Sequence, residues 1–354
     1  MSRMKIVIST FNNSKNNYGA LFQACGLNSF LSELKYDVSN VTLEQRKPRN
    51  RHFKDVLKLY IKKIVLMPHA KKFAIREKKF RQFAKDTQNQ ITYQTTADLY
   101  ANPPIADIYL SGSDQVWNPI SMYEDLFLAY APKGSRKISY AASMGNEIIP
   151  SEKRARFAEL IGEYDAFSVR EDTVVGIIGQ FTDKPVYQHI DPVFLKSREE
   201  WERLETPYER IRLEKYILAY VIEWNSDYNK QLKELKKQTG LPVVSINIGN
   251  VKRVCADQII YDASPSEFLY LLHHSELVVA TSFHGIAMAI IYNKPFLSYA
   301  GNNMPTRIQS LIRHFRIDPD KSHTYGFDDF REVNEIIVKD QNNAEDYFRK
   351  NIDG

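Results

Sequence analysis

A chain of 354 residues, 43% hydrophobic and 26% charged, has an ordinary globular composition and enough length for two domains. Mean hydropathy is −0.42 and no apolar run approaches the ~18 residues of a membrane-spanning helix, so none is expected. The only two thiols, Cys25 and Cys255, lie far apart with no ligand-spaced His or Cys nearby, which excludes a disulfide framework and a Cys-built metal centre.

Met1–Ile8 runs straight into strand-like residues, so a cytoplasmic chain without a secretory leader is expected. Lys5–Ser9 predicts a buried strand, Asn12–Tyr18 a polar loop, and Gly19–Leu34 a helix with Leu21, Phe22, Cys25, Leu27, Phe30, Leu31 and Leu34 at helical spacing. Asp107–Leu110 and Lys137–Ala141 predict strands that run into Ser111–Asp114 and Ser143–Gly145. Arg154–Ile161 predicts a helix, Ala166–Val169 a strand, and Asp191–Phe194 closes the first half. The charged span Trp201–Glu214 connects the halves. Beyond it, Tyr216–Val221, Pro242–Ile248, Leu277–Ala280 and Pro295–Tyr299 predict strands. Helices are expected at Asn229–Thr239 with Gly240 as its C-cap signal, after Ser264-Pro265 with Glu267 as N3, at Gly285–Tyr292, and at Asn334–Asn351. Alternation of this kind predicts an α/β chain with two parallel-sheet domains facing a cleft. The expected bounds are residues 1–205 with a basic helical insertion at about 46–90, residues 206–325, and a helical tail at 326–354.

Ligands of open α/β sheets bind beyond the carboxyl ends of strands, so the polar loops there carry the candidates. Asn17, Tyr18 and Gly19 stand at a helix start, where free N–H groups favour an anion, although a plain helix cap has the same signature. In Ser111–Asn118, Asp114 can accept a proton from a sugar hydroxyl, and Trp117 and Asn118 can face a pyranose; a turn-capping Asp and a core Trp are the alternative. His284, flanked by Ser282 and Gly285 between an apolar strand and an apolar helix, is placed to act as general acid or base, or is a buried structural His. Arg170 at a strand end and Arg307 are candidate anion clamps, with a surface ion pair as the alternative. His273 and His274 read as packing or surface residues. Gly-x-x-x-x-Gly-Lys-Ser/Thr, Gly-x-Gly-x-x-Gly and Gly-x-Ser-x-Gly are all missing, which weakens ATPase, dinucleotide and hydrolase readings. Asp318-Pro319-Asp320 sits in a polar turn and is not read as a metal site.

The net charge of +5 is unevenly placed. Arg46–Lys85 holds fifteen Lys and Arg against Asp55 and Glu77, a local +13 that leaves −8 on the rest. Phe53, Val56, Leu57, Tyr60, Ile61 and Ile64 follow helical spacing opposite Lys54, Lys58 and Lys62. Residues 50–66 thus predict a basic amphipathic helix suited to an anionic membrane surface, or a helix packed on the domain with a solvated Lys face. An acidic body without a reading motif argues against nucleic acid.

Asn17–Ala24, Gly112–Asn118, Ile138–Ser143, Ser168–Glu171, Asp191–Phe194, Ser282–Gly285 and Asn293–Phe296, in this order, resemble the polysaccharide pyruvyl transferase family over about residues 16–310. The resemblance implies two Rossmann-like domains of GT-B type, phosphoenolpyruvate as donor co-substrate, no metal or other cofactor, and a polysaccharide or polyprenyl-linked oligosaccharide acceptor in capsule or exopolysaccharide synthesis. His284 matches the family's active-site histidine and Arg170 its donor-binding arginine. Some members have Arg-Leu-His where this chain has Ser282-Phe283-His284, so Arg307 is the expected substitute cation. By this likeness Ser282 and Gly285 also flank the donor, while Asn17, Tyr18, Gly19, Trp117 and Asn118 face the acceptor. A GT-B glycosyltransferase using a nucleotide sugar, and a non-catalytic glycan-binding protein, are the competing expectations.

Overall fold

The computed structural model describes residues 3–46, 64–222, 226–249, 254–298, 306–317 and 330–354; Phe53–Lys63 and Asp318–Asp320 lie outside them. Five strands build the first sheet: β1 (Lys5–Ser9), β2 (Asp37–Gln45), β3 (Gln90–Thr95), β4 (Ile108–Ser111) and β5 (Arg136–Ser139). They are all parallel and run in the order β3-β2-β1-β4-β5. A short parallel pair, β6 (Phe167–Val169) and β7 (Val186–Gln188), adjoins β5 through bridges at Ile138–Ala166 and Ala142–Val169. The second sheet contains β8 (Ile217–Tyr220), β9 (Val243–Ile246), β10 (Gln258–Ile260), β11 (Leu277–Ala280) and β12 (Phe296–Ser298), again parallel, in the order β10-β9-β8-β11-β12. Each order reverses direction once, between β1 and β4 and between β8 and β11. Loops diverge there and leave a crevice at the strands' carboxyl ends. Burial on both faces explains why β1, β8 and β11 are continuous apolar runs.

Six helices matter for the site: α1 (Tyr18–Glu33), α2 (Ala70–Thr87), α3 (Pro265–His273), α4 (Phe283–Ile291), α5 (Thr306–His314) and α6 (Arg331–Ile352). Asn17 starts α1 by accepting from Ala20 N at 3.3 Å. Helix α1 is then buried from Tyr18 to Leu27, because the second domain covers what would otherwise be its solvent face. The Tyr18 ring stacks on Phe268 of α3 at 4.6 Å and meets Phe80 of α2 at 4.7 Å, while its hydroxyl donates to Ala263 O at 2.8 Å. One apolar cluster therefore runs through both domains.

Helix α2, the second part of the basic segment, braces the same seam. Arg76 is buried and donates to Asn247 O at 2.9 Å, and Lys79 pairs with Glu267 of α3 at 2.6 Å. His69, just ahead of α2, stacks on Tyr261 at 4.0 Å. Helix α6 returns to the first domain, where Tyr347 donates to Ser139 O at 2.8 Å and Phe348 packs on Tyr140 at 4.7 Å. Replacing Arg76 by Met keeps its length but leaves the Asn247 carbonyl without its buried donor. A loss of about 1–3 kcal/mol is expected on thermal unfolding, and an unchanged melting temperature would argue against the brace.

Candidate active site

The two reversal points face each other, which brings together the loops after β1, β4 and β11. After β4 the chain turns through Asp114 at φ 70°, a left-handed conformation that costs a non-glycine residue about 1–2 kcal/mol. The turn is held by its own carbonyl, which accepts from Val116 N at 2.7 Å and Ser143 N at 3.0 Å. Strained backbone of this kind collects at functional sites.

Asp191 is the centre of the buried polar cluster. Its Oδ1 accepts from Val193 N at 3.1 Å and starts the short helical turn Pro192–Leu195. Its Oδ2 accepts from Arg170 Nη1 at 2.6 Å and Ser113 Oγ at 2.9 Å, and lies 3.5 Å from His284 Nε2. At 3.5 Å the last contact is electrostatic, not a formed hydrogen bond. Arg170 Nε also donates to Glu171 Oε1 at 3.0 Å, which accepts from Ser143 Oγ at 2.8 Å. The guanidinium lies 4.2 Å over the Phe283 ring. Burial alone would raise the Asp191 pKa, but His284 and Arg170 more than offset it and hold the carboxyl well below the ordinary carboxylate range. Among the described residues, His284 Nε2, Arg170 Nη2 and Glu171 Oε2 make no hydrogen bond, and they are shielded from solvent.

His284 enters from the first turn of α4, behind Ser282 as N-cap. Its other ring edge rests on Gly19, where a Cβ would overlap Nδ1. The same first turn of α1 borders a polar cavity of about 360 Å³. Asn17, Ala20, Asp114, Gln115, Asn118, Arg46 and Phe11 are among its walls. Arg46 is held by Asp125 at 3.0 Å and lies 5.0 Å over Phe11. Amides, a cation, a carboxylate and an aromatic face in one cavity suit a hydroxyl-rich ligand.

The residues expected from the sequence divide accordingly. His284 and Arg170 meet at Asp191, while Asn17, Asp114 and Asn118 line the cavity. Arg307, on the first turn of α5, lines a narrow crevice with Arg170 and Phe283, and the Gln115 amide lies 3.0 Å from its Nη1 when the oxygen is turned to accept. Five expectations are corrected. Trp117 has 0% exposure and donates to Tyr164 at 3.3 Å, so it packs in the first domain's core and presents no face to a sugar. Tyr18 is an inter-domain pin, also buried, and not an acceptor contact. Gly19 packs against the His284 ring, whereas its neighbours Asn17 and Ala20 line the cavity. Gly285 lets α4 approach the second sheet, where a Cβ would come 2.9 Å from Ala280 Cβ and 3.0 Å from the Tyr220 ring. Arg170 is no exposed clamp either, since two carboxylates share its charge. Sequence reasoning missed the roles of Asp191, Ser113, Glu171, Phe11, Gln115 and Arg46. Asp191-Pro192 carried a signal, a helix-start Asp followed by Pro.

Among the described residues, the one group of metal-ligand type is Glu205, His273 and His274. His273 is already engaged there, with Nδ1 3.0 Å from Glu205 and Nε2 3.1 Å from Arg198. That contact ties the inter-domain connection to α3.

Compared with known proteins, residues 17–303 match the family model described as polysaccharide pyruvyl transferase. No curated protein matches the chain in sequence. A UDP-GlcNAc 2-epimerase of Methanocaldococcus jannaschii, solved in complex with UDP-GlcNAc and UDP, is similar over 96% of this chain and 93% of its own, at 10% identity and a TM-score of 0.51. One of Neisseria meningitidis, bound to UDP-GlcNAc, covers 97% of this chain and 100% of its own, at 12% identity and a TM-score of 0.45. The first likeness shows a GT-B type of fold and says nothing of the chemistry.

Gly19→Ala drives a methyl group into the His284 ring. Overpacking of this kind is expected to cost about 1–3 kcal/mol on thermal unfolding. Gly162→Ala, at the end of the helix Ser151–Gly162 where an added Cβ meets nothing, is the control and should be neutral or stabilising.

Proposed function

The chain belongs to the polysaccharide pyruvyl transferase family, and from that membership we propose that it moves pyruvate from phosphoenolpyruvate onto a pair of sugar hydroxyls of a polysaccharide or lipid-linked precursor. The observation that carries the proposal is His284 Nε2, a buried ring nitrogen with no hydrogen-bond partner among the described residues, whose ring packs against the same first turn of α1 that borders a polar cavity of about 360 Å³.

His284 gives a proton to C3 of the enol, which makes C2 electrophilic. One sugar hydroxyl adds to C2 and loses its proton to Asp114, whose carboxylate accepts no hydrogen bond among the described residues and lines the cavity. The C2–O bond to phosphate breaks, and the second hydroxyl adds to close the ketal. The two hydroxyl protons replace the one given to C3 and accompany the released phosphate. Arg307 supplies positive charge from α5 and Arg46 from the cavity wall, while Arg170 offers only Nη2. Each proton-transfer role contributes roughly 10²–10⁴ in rate.

A lipid-linked acceptor agrees with a basic surface beside exposed apolar side chains. Ile64, Val65 and Met67 are 52%, 46% and 69% exposed, and Lys71, Lys78, Arg81 and Lys85 follow on the exposed side of α2. No described helix is long and apolar enough to cross a membrane, so contact there would be with the surface.

Isotope-labelled phosphoenolpyruvate should transfer label to a capsule-type glycan with release of phosphate. His284→Gln should lower kcat by about 10²–10⁴. Transfer from a nucleotide sugar in place of phosphoenolpyruvate would overturn the proposal. The chain should also sediment with anionic lipid vesicles at low salt and release at high salt; Met67→Ser with Lys71→Glu should weaken that binding, and equal binding by neutral vesicles would rule out the surface.

A further inference from the structure

Asp191 and His284 belong to different domains. Asp191 follows β7 at the edge of the first sheet, whereas His284 follows β11 in the second. Every atom of the Asp191 carboxylate is fixed from its own side. Oδ1 is held by the turn it caps, and Oδ2 by Arg170 and Ser113. Helix α1 presses on the same turn, since a Cβ at Gly26 would overlap the Pro192 carbonyl. The carboxylate has 0% side-chain exposure and cannot turn away to water. His284 meets it from the other domain with an Nε2 that has no hydrogen-bond partner among the described residues, its Nδ1 edge gripped by Gly19.

Charge points the same way. One guanidinium, Arg170, stands against two buried carboxylates, Asp191 and Glu171. Asp114 also acts on Arg170 through space. A buried charge without a counter-charge is costly. Among the described residues in contact with Asp191, His284 is the only other side chain able to become positive.

We propose that Asp191 is a positioning residue that orients the His284 imidazole across the domain boundary, so that the proton donor is set only while the two domains are together. Arg170 acts through Asp191 by holding that carboxylate, and not as a free clamp on the donor. The catalytic part of the inference rests on the pyruvyl transfer proposed above; the structural part does not.

The test uses the full chain labelled with 15N-histidine, whose ring resonances report which nitrogen carries a proton. Asp191→Asn, and Arg170→Gln/Asp191→Asn in which no buried guanidinium is left unpaired, are compared with wild type. The His284 resonances and their response to pH are expected to change in both variants. kcat for pyruvyl transfer is expected to fall by about 10²-fold or more, with KM little altered. Unchanged His284 resonances in the folded variants overturn the inference, as does a loss seen in KM alone. Should Asp191→Asn not fold, the double variant decides. Should wild type transfer no pyruvate, the function proposed above fails, while the resonances still decide whether Asp191 orients His284.

Discussion

Two parallel sheets can share one site only if something apolar holds their carboxyl edges together, and here that is the first half of α1. Its residues point in four useful directions within three turns. Asn17 caps the helix and faces the cavity, Tyr18 inserts into the second domain, Gly19 admits the His284 ring, and Gly26 admits the Asp191-Pro192 turn. Aromatic pairs such as Tyr18–Phe268 contribute about 0.5–1.5 kcal/mol beyond burial. Tyr18 makes several of these contacts at once, with Phe22, Phe80, Tyr220 and Phe268. A polar face on α1 would open the seam and separate Asp191 from His284. Burial all round the helix is therefore a requirement of the site as well as of the fold.

Much of the scaffold was legible because parallel strands buried on both faces must be apolar throughout. Ile6–Ile8, Tyr216–Val221 and Leu277–Ala280 advertise themselves in that way. β2 and β3 escaped notice. Asp37–Gln45 mixes Ser, Asn, Thr and Glu with its apolar residues, and Gln90–Thr95 lies at the sheet edge, where only part of each side chain is covered. β7 and β10 are three residues each and only partly buried, so no buried apolar run marks them as one marks the equally short β6. His284, Asp114 and Arg170 could be picked out as candidates because each stands just past a strand end. Trp117 misled for the same reason: position after a strand does not reveal which way a side chain turns, and this one turns inward onto Tyr164 and Phe127.

Asp191 was visible in sequence and its role was not. A helix-start Asp before Pro normally uses its carboxylate on the turn it begins, and Oδ1 does so here. The second oxygen is left for the rest of the molecule. Three chain segments, 57 and then 114 residues apart, converge on that oxygen or beside it: Ser113, Arg170 and His284. Spacing along a chain carries no trace of such a meeting. It exists only because the reversal points of two sheets face each other across α1.

The fate of Arg170 follows from the same geometry. A guanidinium at a strand end can bind a ligand's carboxylate or phosphate, but only with charge to spare. At 5% exposure beside two carboxylates, Arg170 has little. Ions removed from water carry penalties of several kcal/mol each, and a well-packed apolar cluster of equal volume often serves stability as well or better. Apolar packing is in abundant supply at this seam, in Phe283, Tyr220 and Ile286. A buried group of one arginine, two carboxylates and an imidazole at that place is thus a poor device for holding domains together. It is a good device for fixing the direction of one ring nitrogen, because a charged partner that cannot move leaves the imidazole a single favourable orientation. The expense of burial then belongs to orientation, and the apolar contacts of Tyr18 and its neighbours bear the load of stability.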